Sequence, residues 1–419
     1  MTKREIFQIS RRFVSALAIA AVLAASFSFL LMTNNASAVT RTWDGGGGDA
    51  NWSTDANWSD NTEPGTSDIA TFDGTCAANC SPTIDATISV GGINMATGYA
   101  GTITMAAGVD VTVGDSDFIL VAGTFTGGTG TLTLGTSGIN AVDFTMTGGT
   151  FTSPTTVSFT TQGHTTIDVS SSVTFTNMII NKSNEAYIIA VASGDTVTVT
   201  SDLTLTNGIL NGPGVVSVQG NITQASTADL GTGTVDFGAA GAQTYTINGG
   251  SGPKLRLDSA ADASDTLVMS AAGTLYGLEL TSGFSGTMGI SNSGNFTLTI
   301  DYGGYSQAAG TFPGGTFTLT LGTGTINNHN FTITGGTFTS PTTVSFVTQA
   351  NVTIDVNSSV TFTNMTVNKS SLGYFVTIAS GDTVTVTSDL TLTDGGLNGP
   401  GTVTVNGNIT QASTADLGT

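Results

Sequence analysis

TVTVTSDLTLT, from Thr196 to Thr206, alternates Thr with Val or Leu at a period of two, broken once by Ser201-Asp202. Successive side chains of a strand point to opposite faces. Val197, Val199, Leu203 and Leu205 are therefore expected to face a core, and the threonines to face water, where a β-branched hydroxyl residue favours extended backbone. The same alternation recurs as TLTL at Thr131 to Leu134, FTLTI at Phe296 to Ile300 and FTLTL at Phe317 to Leu321. Gly, Asn, Asp and Ser bound these runs, as they bound strands. Beyond the N-terminal leader no segment shows a convincing helical period. The expected fold class is all-β.

The quoted stretch returns unchanged at Thr383 to Thr393, 187 residues later. GGTFTSPTTVSFTTQ from Gly148 likewise returns as GGTFTSPTTVSFVTQ from Gly335, and NGPGVVSVQGNITQASTADLGT, ending at Thr232, as NGPGTVTVNGNITQASTADLGT, ending at Thr419. Between those limits the copies align without a gap at roughly three-quarters identity, the mark of a stacked array. Strand-like bursts recur every 20 to 30 residues or so, which suits rungs of a β-helix better than sandwich modules or propeller blades. The expectation is an elongated, right-handed parallel β-helix over residues 81–419, with a unit of about seven to nine rungs. T-x-T motifs fall at many phases along the chain rather than at one position per rung. Copy one continues past Thr232 with GTVDFGAAGAQTYTINGG, whereas copy two stops at Thr419 in mid-unit, so the chain reads as a fragment of a longer protein.

Residues 1–38 read as a signal peptide. Lys3, Arg4, Arg11 and Arg12 precede an apolar run from Phe13 to Met32, and Ala36-Ser37-Ala38 offers a small-x-small cleavage site. A retained membrane anchor is the alternative reading of that run. The leader holds four of the nine basic residues and one of the 29 acidic ones, leaving 5 against 28 and a net charge of −23. Such a chain has too few cations to neutralise phosphate, which excludes nucleic acid and anionic membrane as partners. After cleavage no apolar run remains that would make it an integral membrane protein.

Residues 39–80 form a Trp-rich opening. Trp43, Trp52 and Trp58 fall within sixteen positions and are expected either to cap the first rung or to offer sugars a stacking surface. Cys76 and Cys80, in TCAANCSP, are expected to form a local disulfide in an exported chain. The opening contains a doubled hexad, Asp49-Ala50-Asn51-Trp52-Ser53-Thr54 and Asp55-Ala56-Asn57-Trp58-Ser59-Asp60, followed by Pro64-Gly65-Thr66-Ser67-Asp68-Ile69-Ala70-Thr71-Phe72. With Trp43-Asp44-Gly45-Gly46 before it, this resembles the start of bacterial surface proteins that carry autotransporter-associated β-strand repeats. The resemblance covers about 35 residues. It implies a secreted or surface-displayed β-solenoid and supplies no catalytic residue.

A site essential to each unit should occur in both copies. His164 falls on Asn351 and His329 on Val142, so neither histidine passes; both are expected in exposed loops. Asp168, Asp195, Asp202 and Asp229 do recur, as Asp355, Asp382, Asp389 and Asp416, and Lys182 recurs as Lys369. Aspartates beside strands ordinarily bond their own backbone to close turns. Calcium is the rival use, at weak affinity; otherwise no cofactor is expected. Carboxylate chemistry on polysaccharide usually calls for a nearby base, and five Lys or Arg leave little to supply one. The functional expectation is a secreted or cell-surface structural or adhesive repeat protein, non-catalytic, with surface glycans or other cell-surface proteins as partners. A polysaccharide-binding or polysaccharide-degrading β-helix is the alternative.

Overall fold

The computed structural model describes residues 38–419 except 137–140, 185, 230, 239–240, 260–261, 263, 293, 324–328 and 418–419. The chain divides into two units, Met1–Ala38 and Val39–Thr419. The leader expected over residues 1–38 thus lies outside the described residues, save Ala38. Among the described residues there is no α-helix, and no helix is long and apolar enough to cross a membrane.

The second unit is a parallel β-solenoid of about 14 turns over residues 69–416. Each early turn has three strands. A first face stacks Ile69–Phe72, Gly92–Met95, Phe118–Leu120, Phe144–Met146 and Thr165–Val169. A second stacks Thr83–Ile84, Thr102–Met105, Thr124–Thr126 and Thr150–Thr152. A third stacks Ile88–Val90, Val111–Val113, Thr131–Leu134 and Thr156–Phe159. Residues paired on adjacent turns are separated by as few as 19 positions, as Leu203 and Ile222, and as many as 32, as Asn51 and Thr83.

Alternation builds the interior. In Thr196–Val199 the two valines are fully buried and the two threonines half-buried. The inward residues of every turn join one continuous apolar core. Aromatic rings stack along its axis. Phe118 lies 5.1 Å from Phe144 with planes 2° apart, and Phe125 lies 5.5 Å from Phe151 at 6°. Copy two repeats the arrangement with Tyr305 on Phe331 at 5.0 Å and Phe312 on Phe338 at 5.1 Å. Parallel in-register stacking puts identical faces of like residues in contact, which offset stacking of rings rewards.

Pairing also gathers the T-x-T motifs that look scattered along the chain. Thr102/Thr104, Thr124/Thr126 and Thr150/Thr152 stand in register on the second face, and Ser172/Thr174 stands in register with Thr196/Thr198. Other T-x-T motifs stand elsewhere, Thr131/Thr133 on the third face and Thr297/Thr299 in register with Thr318/Thr320, so the motifs keep more than one position per turn, as expected.

The duplication is not a simple translation. From Ser172 on the second face, successive partners are Thr196, Val215, Thr234 and Lys254. From the adjacent Leu255 they are Leu278, Tyr305 and Phe331. Phe331 is the copy-two equivalent of Phe144, which lies on the first face. One unit therefore spans a number of whole turns plus one face.

Candidate functional site

The Trp-rich opening forms a sealed block. Trp43, Trp52 and Trp58 are 0–1% exposed. Trp58 meets Trp43 edge-on at 5.1 Å and Trp52 at 4.7 Å, and Phe72 lies within 6.2 Å of all three. Trp58 Nε1 donates to Trp52 O at 2.9 Å and Trp43 Nε1 to Asn79 O at 3.0 Å. No ring presents an open face of the kind a sugar would stack on. Asn57 of the second hexad is fully buried, donating to Asp49 Oδ1 and Asn51 O, both at 2.9 Å. The PGTSD segment has a local cause too. Asp68 Oδ2 accepts from Gly65 N and from Arg41 Nε, and Ala70 and Phe72 then point inward. Cys76 and Cys80 are joined as a disulfide beside this block.

The recurring aspartates hold neighbouring turns together. Asp195 Oδ2 accepts from Val169 N at 2.8 Å, and Asp382 Oδ2 from Val356 N at the same distance. Asp202 Oδ1 accepts from Asn221 N, and Asp389 Oδ1 from Asn408 N. Asp229 Oδ2 accepts from Gly208 N. The expected bond to each residue's own turn is thus corrected: the donor lies 19 to 26 positions away, on the adjacent turn. Asp168 and Asp355 point outward on exposed strand positions. A ladder runs along one corner, where Asp110, Asn177, Asp202 and Asn221 each accept the backbone N–H of the next turn's residue, Thr131, Asp202, Asn221 and Thr244. A corner N–H has no strand partner, so an Asx side chain from the turn before satisfies it. Among the described residues no three His, Cys, Asp or Glu side chains converge as a metal site.

The histidines part company. His164 is exposed and accepts from Ile188 N at 3.2 Å through Nδ1. His329 is not in an exposed loop: it is fully buried, with Nε2 2.7 Å from Asp301 Oδ1. Thr323 Oγ1 donates to both Asp301 oxygens, at 3.1 and 3.2 Å. Copy one has Gly114 and Val142 at the positions of Asp301 and His329, so it lacks both the acid and the imidazole. Thr323 bonds the carboxylate and not the imidazole, which is not the order a nucleophilic triad requires.

Cations and carboxylates meet on one outer face. Arg256 Nη2 lies 2.5 Å from Asp236 Oδ2 and 3.6 Å from Asp258 Oδ2, and Lys254 pairs with Glu279. Burial pushes the Asp236 carboxyl up to about 6, against the pull of Arg256. Sequence reading missed this cluster because Asp236, Arg256 and Glu279 are 20 and 23 positions apart and become neighbours only through the ladder. No protein-family model, no curated protein and no solved structure matches the chain.

Proposed function

We propose that this chain is a secreted or cell-surface structural and adhesive repeat protein, of the type that carries autotransporter-associated β-strand repeats, and that it is non-catalytic. One observation carries the reading. Three pairs of charged residues common to both copies, Asp195/Asp382, Asp202/Asp389 and Lys182/Lys369, are bound to backbone or hydroxyl groups of neighbouring turns. Duplication has preserved what keeps turns together, as expected of a protein whose work is length and surface contact. The leader and the Trp-rich opening support export. Surface glycans or other cell-surface proteins are the partners such a rod would meet. Labelling intact cells with an antibody to residues 39–419, with and without external protease, tests this. Protease-sensitive surface label is expected; signal confined to the cytoplasm sinks the reading.

A polysaccharide-degrading or polysaccharide-binding β-helix is the second reading, favoured by Asp236, Arg256, Lys254 and Glu279 on one face. A glycan-degradation screen separates the two. Turnover abolished by Arg256→Ala, with the fold retained, would replace the first reading with the second.

A further inference from the structure

Lys182 and Lys369 are each 1% exposed. Lys182 Nζ donates to Gly163 O at 3.1 Å and Thr165 Oγ1 at 2.7 Å. Lys369 Nζ donates to Ala350 O at 3.1 Å and Thr348 Oγ1 at 3.4 Å. Neither lies within ion-pair distance of a described carboxylate. An ammonium has three protons to place, a neutral amine two. Among the described residues each site offers two acceptors, which matches the amine and leaves the third ammonium proton without a partner in a low-dielectric interior. The stem is held too. Gly208, at φ +95°, and Gly395, at φ +77°, approach so closely that an added Cβ would sit 2.6 Å from Lys182 Cγ and 2.4 Å from Lys369 Cβ.

We propose that Lys182 and Lys369 form a duplicated proton-sensitive latch: as neutral amines they close their turns, and protonation opens those turns, one in each repeat. Burial supports this by pushing Lys182 down to about 7 and Lys369 down to about 8. The carboxylate that acts on Lys182, Asp143, has no counterpart at Lys369. Copy one has Asp143, which opposes the shift, and also His164, Tyr187 and Asp229 nearby; copy two has Asn330 and Asn351 in place of Asp143 and His164, with Tyr374, Asp394 and Asp416. The lysine, Tyr187/Tyr374 and Asp229/Asp416 are the elements the two sites share.

The test is a pH titration of the full chain with 13C-labelled lysine side chains, run with amide hydrogen exchange. Two of the four lysines should titrate at least one unit below the rest, and both resonances should vanish from the low-pH group in Lys182→Met/Lys369→Met. Protection of the Lys182 and Lys369 amides, corrected for intrinsic rate, should fall about tenfold between pH 9 and pH 6 in the parent chain. Ordinary titration of all four lysines overturns the proposal, and the parent chain alone decides that if the variant does not fold. Low titration with pH-independent protection overturns it equally, since the amines would then be buried without acting as a latch.

Discussion

Phe144 and Phe331 hold the same place in the repeat and stack in the same way, on Phe118 and Tyr305, yet they stand on different faces of the solenoid. Thr150–Thr152, which follows Phe144 by one face, lies against Ser172–Phe175, and from Ser172 the pairing runs onward to Phe331. The unit of duplication thus advances the chain and turns it.

Because local contacts travel with the sequence, removing one whole unit should leave no mismatch. Deleting residues 161–347, which joins Thr160 to Thr348 across the 187-residue register, should give a folded rod shorter by about 40 Å. Deleting three residues fewer should turn inward side chains outward at the junction and abolish cooperative melting. Small-angle scattering and thermal melts distinguish these outcomes. Loss of folding in the in-register deletion would show that contacts specific to one copy hold the array.

Asp195→Ala and Asp382→Ala should each cost about 1–3 kcal/mol, since the N–H of Val169 or Val356 is left buried without an acceptor. Asn retains that acceptor and should recover most of the loss. Calcium should not mimic the rescue. Chemical denaturation of the four variants, Ala and Asn at each position, with calcium and with chelator, checks this; equal losses for Ala and Asn would mean that charge, not hydrogen bonding, matters there.

Burial pushes the Asp265 carboxyl up to about 7, with Asp262 adding to the effect, and its Oδ2 is unbonded among the described residues. A folded-state value above the unfolded one means that this group's stabilisation is complete below about pH 4 and is lost as pH rises through 7. Asp265→Asn should therefore flatten the fall in melting temperature between pH 4 and pH 7 and add about 2 kcal/mol at pH 8. A parallel downward shift of the whole profile would contradict the assignment.

The three tryptophans should emit as buried indoles, and acrylamide should barely quench them in the native chain. Trp58→Ala, which removes the ring touching both other indoles, should cost about 3–5 kcal/mol. A saturable emission change on titration with soluble glycans would count against the sealed-block description.

Much of the fold was legible because alternation survives on the page. TVTV at Thr196 and TLTL at Thr131 declare which side faces in, and the gapless repeat declares stacking. What was hidden depends on turn length. Asp236 and Arg256 are 20 positions apart, Arg256 and Glu279 are 23, and no local pattern marks them as neighbours. His329 was misplaced for a related reason: polar flanking residues suggested a loop, whereas its partner Asp301 lies 28 positions away. The rotation between copies was equally invisible, since a repeat aligns identically whether or not it turns.

The corner ladder has a direction. Asp110, Asn177, Asp202 and Asn221 hold acceptors on the earlier turn, and the N–H groups they receive come from the later one. A chain emerging N-terminus first thus lays down each template before the segment that needs it arrives, with the indole block available as the starting surface. At that corner, threading through a narrow exit and folding beyond it proceed in the same order, so each completed turn would resist backward slippage of the chain.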